Sequence, residues 1–332
     1  MAKATTKPAK TGLGGGHARL GVLLLLAAAC AALAFPVRAE DPALPQSLAK
    51  SAENEQEFAA KIRAFDKLQQ MAGEMKMKMA EALAKAGQKE EAQKTAEQAN
   101  QMLLLARQAY EEGLAKYPKN AELLNYYGEL VYDWYGEEEE GVKRWRAALE
   151  IRPGLSRAHN NLGIHLCHVG KYEDGIRHLD EAIKLEPDNP DYLFNLSQMY
   201  LVHWPQVMKI RLWAGRDVFE NAQLLSKKAA ELSPRDFPLV SDYALNFFKA
   251  EDLGALPAWD QGAKAWQKAR AAARTPDQRF YTLLNEGRCW LRAKKASKAA
   301  ACFEEALAIY PDKPVAKNLL EEARGAKTPG KR

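Results

Sequence analysis

The phrase Ala148-Leu-Glu-Ile-Arg-Pro153 returns 34 residues later as Ala182-Ile-Lys-Leu-Glu-Pro187. Further copies read Ala229-Ala-Glu-Leu-Ser-Pro234, Ala306-Leu-Ala-Ile-Tyr-Pro311 and, in an earlier position, Gly113-Leu-Ala-Lys-Tyr-Pro118. Each copy is a small residue, four further residues and a proline, and the proline ends a helix because it cannot continue the hydrogen-bond pattern. A helical pattern that recurs about every 34 residues predicts an array of stacked helix hairpins.

The most regular unit runs from Ser156 to Pro187. Its first helix carries the large-small pair Leu162-Gly163, and its second carries, at steps of four and three residues, Gly175, Leu179 and Ala182. Small residues let two helices approach closely, and a bulky residue opposite fills the gap. On these residues the chain resembles the tetratricopeptide repeat family. The resemblance covers about residues 88–311 and implies an all-α fold, an α-solenoid of antiparallel helix hairpins.

The sequence predicts a domain order along the chain. Residues 54–118 are predicted to form a long N-terminal helical hairpin with a degenerate first repeat, because Phe58, Ile62 and Phe65 begin an apolar stripe at helical spacing. The predicted repeats follow at about 119–153, 154–187, 188–234, 235–274 and 275–311, and an insertion around 202–213 lengthens the third. Residues 312–324 are predicted to form a capping helix. A flexible tail is expected at 40–53 and a disordered tail at 325–332.

The formal net charge of +5 comes from the N-terminal segment. Residues 1–39 hold five basic and no acidic residues, which leaves 43 of each in the rest, so the charge gives no indication of a nucleic-acid partner. The apolar run Leu20–Phe35 and the following Val37-Arg38-Ala39 predict a bacterial-type signal peptide at 1–39, cleaved after Ala39. We therefore expect an exported, periplasmic or secreted protein. The alternative is an uncleaved membrane anchor, because about 17 apolar residues are near the lower limit for a span.

In the tetratricopeptide repeat family the first helices of the repeats line a concave groove, and the resemblance implies the same groove here. Its predicted polar residues are Asn125, Glu129, Arg157, Asn160, Asn161, Asn195, Gln198, Asn285 and Arg288. Three of them, Asn161, Asn195 and Asn285, match the slot from which family members often bind the backbone of an extended peptide, because a side-chain amide both donates and accepts. The alternative is that these are solvated or structural polar residues.

The insertion is a second candidate contact surface. It holds Trp204 and Trp213, and tryptophan is enriched at the energetically dominant positions of protein interfaces. Both side chains are equally compatible with packing inside the array, because a large aromatic side chain serves cores and interfaces alike.

Two groups of residues are compatible with metal binding but favour packing. Histidine and cysteine bind zinc or copper, and one predicted helix carries His165, Cys167 and His168. Met71, Met75 and Met79 share a helix face, but that face is the apolar stripe, which predicts burial. We expect neither a metal nor another cofactor. The sequence leaves open whether Cys289 and Cys302 pair.

These features favour a non-catalytic scaffold or adaptor in the bacterial cell envelope that binds a peptide or helix of a partner protein along the concave face. The sequence contains no Gly-rich phosphate loop, no His-Glu-x-x-His and no Gly-x-Ser-x-Gly. Two alternatives stay open. One is a metal- or redox-linked envelope protein that uses the His, Cys and Met residues. The other is an oligomeric structural protein assembled through the N-terminal hairpin, whose charged helices resemble coiled-coil material.

Overall fold

The structure is a computed structural model that describes residues 54–325. The predicted signal peptide, the tail at 40–53 and the C-terminal tail beyond Gly325 lie outside the described residues. Within 54–325 no helix combines the length and the apolar character that crossing a bilayer requires.

The described residues fold into fourteen α-helices and contain no strand, which confirms the predicted all-α class. The helices are α1 Glu55–Lys85, α2 Lys89–Lys116, α3 Ala121–Asp133, α4 Glu138–Ile151, α5 Ser156–His168, α6 Tyr172–Leu185, α7 Pro190–Val202, α8 Trp204–Arg211, α9 Gly215–Leu232, α10 Phe237–Asn246, α11 Trp259–Ala272, α12 Pro276–Arg292, α13 Ala296–Ile309 and α14 Pro314–Gly325. Two short 3₁₀ helices, Phe247–Lys249 and Glu251–Leu253, follow α10.

The chain divides into two compact units between His165 and Leu166. In the N-terminal unit α1 packs along α2 and α3 along α4; in the C-terminal unit α9 packs on α7, α11 on α10 and α12, and α13 on α12 and α14. The main contacts of each helix are with helices no more than two positions away along the chain. Such nearest-neighbour packing is typical of a solenoid. The boundaries of the individual repeats stay a prediction.

The recurring prolines mark helix ends. The helices α2, α4, α6, α9 and α13 each stop two residues before a proline of the repeated phrase, and the last of them ends at Ile309 before Pro311. The residue before a proline is sterically excluded from the helical conformation, which explains this constant offset.

Small and bulky residues of neighbouring helices pack closely against each other. A Cβ atom on Gly128 would lie 2.7 Å from the Trp145 Nε1 atom, and one on Gly287 would lie 2.4 Å from the Phe303 Cε1 atom. Both distances are shorter than any real contact, so these positions require glycine.

The prediction that Met75 and Met79 are buried is wrong. They are 62% and 53% exposed, and Met71 is half-buried. In this part of the hairpin α1 has α2 as its main neighbour, and a different stripe of α1, which includes Gly73 and Ala80, is buried. An α-helix with one neighbour buries one face, so the second apolar stripe remains on the surface. Assembly through this hairpin stays a prediction.

The insertion forms a separate helix, α8, and the residue that follows it, Leu212, is in the left-handed conformation with φ of 54°. The next helix begins at Gly215, where a Cβ atom would lie 2.7 Å from the backbone oxygen of Leu253. Leu253 belongs to the second 3₁₀ helix, so the start of α9 packs directly against this segment. Because the contacted atom is backbone, only glycine permits this approach.

Candidate functional site

Three of the predicted groove residues meet in the N-terminal unit around the carboxylate of Glu129. Its Oε1 atom accepts hydrogen bonds from Asn125 Nδ2 at 2.9 Å and Asn161 Nδ2 at 3.0 Å. Its Oε2 atom accepts from Arg63 Nη2 at 2.5 Å. These four residues, here called the Glu129 network, join α1, α3 and α5. The groove prediction did not include Arg63.

The buried side chain of Asp66 holds Arg63 in position. This fully buried carboxylate accepts from Arg63 Nη1 at 2.9 Å, from Tyr110 Oη at 2.8 Å and from Gln70 Nε2 at 2.7 Å. Burial raises the pKa of Asp66, although Arg63 and the hydrogen bonds act in the opposite direction. The guanidinium of Arg63 therefore bridges two carboxylates, which holds it rigidly.

Two cations and one aromatic ring lie at the exposed edge of this network. The Tyr126 ring has Arg63 Cζ 4.5 Å and Arg157 Cζ 5.4 Å from its centroid. Arg157 and Lys67 are exposed, and neither forms an ion pair with any residue in 54–325. Lys67 follows Arg63 by four residues on α1, so the two side chains lie on the same helix face. Partial burial and repulsion from Arg63 and Arg157 lower the pKa of Lys67, while Glu129 and Asp66 act in the opposite direction. We call Lys67, Tyr126, Arg157 and the Glu129 network the polar face.

Two of the predicted groove residues of this unit, Asn125 and Asn160, are buried. Asn125 is only 1% exposed, and Asn160 is also buried, with its Nδ2 atom 3.4 Å from Asn161 Oδ1. Their amides position neighbouring side chains. Asn161 and Glu129 are half-buried, and Arg157 is the most accessible of the predicted set in this unit.

In the C-terminal unit, Gln198 belongs to a polar cluster around Asp242. The carboxylate accepts from Gln198 Nε2 at 2.7 Å, from Ser226 Oγ at 2.7 Å and from Asn246 Nδ2 at 3.2 Å. Burial raises the pKa of Asp242 to about 6 despite these three donors. The predicted Asn195 is half-buried on the same helix as Gln198.

The raised pKa of Asp242 predicts a pH-dependent stability. The folded carboxyl keeps its proton up to about pH 6, above the ordinary value of 3.8. Its contribution is therefore complete below about pH 4 and is lost as the pH rises through 6, by up to about 3 kcal/mol. Denaturant titrations from pH 4 to pH 8 should show this loss in the wild type relative to Asp242→Asn. An unchanged difference between the two proteins over that range would contradict it.

Asn285 and Arg288 occupy another part of this unit. Asn285 is 4% exposed; its Nδ2 atom donates to the Tyr281 backbone oxygen at 3.1 Å, and its Oδ1 atom accepts from Arg288 Nη1 at 3.1 Å. Arg288 is exposed and lies 5.0 Å from the centroid of the Phe248 ring. Asn285 therefore orients an arginine, which is the group that a ligand would reach.

The insertion is fixed to its own unit by Arg211. This side chain donates to Asp180 Oδ1 at 2.7 Å and to Tyr200 Oη at 2.8 Å, which connects α8 to α6 and α7. The Trp213 ring packs edge-on against Tyr200, with the centroids 5.6 Å apart. Both Trp204 and Trp213 are half-buried. The geometry of Trp213 favours the packing interpretation.

The His and Cys residues of α5 are engaged separately. His165 Nδ1 lies 3.1 Å from Tyr132 Oη, Cys167 is buried and His168 is exposed. Burial raises the pKa of Cys167, Cys289 and Cys302 to about 12, and all three are free thiols. In the described part of the chain no three His, Cys, Asp or Glu side chains are grouped so that they could hold a metal ion.

Comparison with known proteins identifies the repeat. Residues 156–189 match the tetratricopeptide repeat family model. The C-terminal part of a TPR repeat-containing protein from Cytophaga hutchinsonii is similar in structure, with a TM-score of 0.50 and 16% identity over 84% of this chain and 99% of that chain. No curated protein sequence matches the chain.

Two further solved structures are similar. YrrB, described as a TPR protein with an unusual peptide-binding site, has a TM-score of 0.49 and 16% identity over 65% of this chain and 99% of its own. PilF of Pseudomonas aeruginosa has a TM-score of 0.46 and 17% identity over 76% of this chain and 99% of its own. Identities at this level concern the fold.

Proposed function

Because the chain is a tetratricopeptide repeat protein, we propose that it is a non-catalytic scaffold that binds an extended segment of another protein on the polar face of its N-terminal unit. One observation carries this proposal. Lys67 and Arg157 are exposed and form no ion pair within 54–325, and the Arg157 guanidinium lies beside the Tyr126 ring. The two cations present positive charge to a partner, and the Tyr126 ring beside Arg157 presents apolar area.

The physical chemistry of the polar face suits a polypeptide. Tyrosine and arginine are enriched among the residues that dominate binding energy at interfaces. The guanidinium of Arg157 can donate to backbone carbonyl or carboxylate oxygens, and the Tyr126 ring offers a flat surface to an apolar side chain. The hydrogen-bonded network below holds Arg63 and Asn161 in place, which reduces the entropy lost on binding.

We also propose that the protein acts outside the cytoplasm, in the bacterial envelope. The support is the sequence of residues 1–39, with a basic start, an apolar run and a small-residue cleavage motif. The N-terminal residue of the protein recovered from cells tests this proposal, because cleavage after Ala39 would leave Glu40 first.

Charge reversal on the polar face is expected to reduce partner capture strongly. Intact protein and the double variant Lys67→Glu, Arg157→Glu would be used as bait in envelope extracts, with retained proteins quantified by mass spectrometry. A partner held by the polar face should be recovered at least about tenfold less by the variant, because glutamate only accepts hydrogen bonds and cannot replace the donors of Lys67 and Arg157.

The matched control is Lys143→Glu on α4. Lys143 belongs to the same unit, and its side chain is 79% exposed. This variant should retain the partner. Equal recovery by all three baits would remove the polar face as the binding surface, and circular dichroism would verify that helicity is the same in each.

A further inference from the structure

Glu129 occupies a site built for a carboxylate. Three donors converge on it from three helices: Arg63 on α1, Asn125 on α3 and Asn161 on α5, at distances of 2.5 to 3.0 Å. A guanidinium together with amide donors is an arrangement that recognises acidic groups in proteins. The side chain of Glu129 is 16% exposed, so this carboxylate lies at the boundary between interior and solvent.

The charges around this site do not balance. Three cations, Arg63, Lys67 and Arg157, adjoin two carboxylates, Asp66 and Glu129. Arg63 forms ion pairs with both carboxylates, so the five groups together carry one net positive charge, and Lys67 and Arg157 present it at the surface without an ion pair of their own. An uncompensated positive cluster attracts anionic ligands and accelerates their binding.

We propose that the segment bound on the polar face is acidic, and that Glu129 is an internal competitor for its carboxylate. An incoming Asp or Glu side chain pairs with Lys67 and Arg157 and displaces Glu129 from Asn161. The carboxylate of Glu129 therefore lowers the affinity of the free face for acidic segments. This inference rests on the function proposed above and adds the charge of the partner.

The test uses the full chain and three capped, fluorescently labelled ten-residue peptides. One alternates Glu with Ser, the second has Gln in place of Glu, and the third has Lys in place of Glu. Fluorescence anisotropy at low and at physiological salt would measure their binding. The Glu peptide should bind most tightly and should weaken as salt is added, because exposed charges are screened.

Neutralising a cation and neutralising Glu129 should change the affinity in opposite directions. Lys67→Gln or Arg157→Gln should weaken binding of the Glu peptide by about two- to fivefold each, the size of an exposed ion pair. Glu129→Gln should strengthen it by a similar factor, because the competing charge is lost while hydrogen bonding to the amides is kept. Glu139→Gln on α4 removes an exposed charge from the same unit and should change nothing.

Several outcomes would overturn the inference. If Glu129→Gln binds the Glu peptide no better than the wild type while its melting curve is unchanged, Glu129 is not a competitor. If the Glu and Gln peptides bind equally and both depend on Arg157, the proposed scaffold function stands and acidic selectivity is wrong. If inorganic phosphate or a short single-stranded DNA displaces the Glu peptide at equal charge concentration, the site takes anions in general. If Glu129→Gln melts at a much lower temperature than the wild type, the inference is tested instead by the affinity of Lys67→Gln for the Glu peptide and by the salt dependence. Lys67 lies outside the Glu129 network, so its replacement leaves that network intact.

Discussion

Replacing Phe303 by alanine is expected to lower the free energy of unfolding of the C-terminal unit by about 3–5 kcal/mol. The side chain is fully buried in a core that also contains Trp266, Trp290 and Phe247, and its ring contacts the backbone of α12 at Gly287. Truncation would lose the transfer free energy of the ring and leave a cavity, because packed helices relax only partly. Urea titration followed by circular dichroism would measure the loss.

A double-mutant cycle makes this prediction specific to the Gly287–Phe303 pair. Gly287→Ala alone should destabilise by about 1–3 kcal/mol, because its Cβ atom would lie 2.4 Å from the ring. In the Phe303→Ala background the methyl group that Gly287→Ala introduces enters the space that the ring leaves. The destabilisation caused by this glycine replacement should therefore largely disappear. Glu304→Ala, at an exposed position next to Phe303, is the control. Strictly additive effects would show that the two residues do not pack against each other.

Replacing Asp66 by alanine is expected to cost a similar amount, about 3–5 kcal/mol, in the N-terminal unit. The substitution leaves the buried Tyr110 hydroxyl without its acceptor and removes one of the two carboxylates that neutralise Arg63. Removing one partner from a buried ionic network is costly because the other groups remain desolvated. Hydrogen exchange should report the loss locally, as faster exchange in α1, α2 and α3.

Two comparisons identify the cause of this effect. Asp66→Asn keeps an acceptor for Tyr110 and should cost clearly less than Asp66→Ala. Glu81→Ala removes an exposed carboxylate from the same helix and should be nearly neutral. Equal stability of Asp66→Ala and Glu81→Ala would mean that the Asp66 interactions contribute nothing to the fold.

The sequence predicts the helices and their pairing well because both depend on local pattern. The prolines of the repeated phrase locate helix ends, and the spacing of small and bulky residues predicts that the paired helices approach closely. The polar face depends on relations that no local pattern contains. Arg63 and Glu129 are 66 residues apart, and their contact depends on how α1 is rotated against α3.

The burial of two predicted groove residues also cannot be predicted from a sequence pattern. Asn125 and Asn285 look like solvated amides in a repeat, yet both are buried and bonded within the protein. The exposure of Met75 follows from the number of neighbours that α1 has, which spacing does not encode. One signal was present in α1: Arg63 and Asp66 interrupt an otherwise apolar stripe three residues apart, as a buried ion pair would require.

The restriction of the main helix contacts to partners one or two positions away has a consequence for how each unit acquires its structure. Contacts between segments close in sequence cost little chain entropy to form, so folding should be fast. Any adjacent hairpins can serve as a nucleus, and growth can proceed from there in either direction. A growing polypeptide emerging from the ribosome could therefore complete its early hairpins before the later ones are translated.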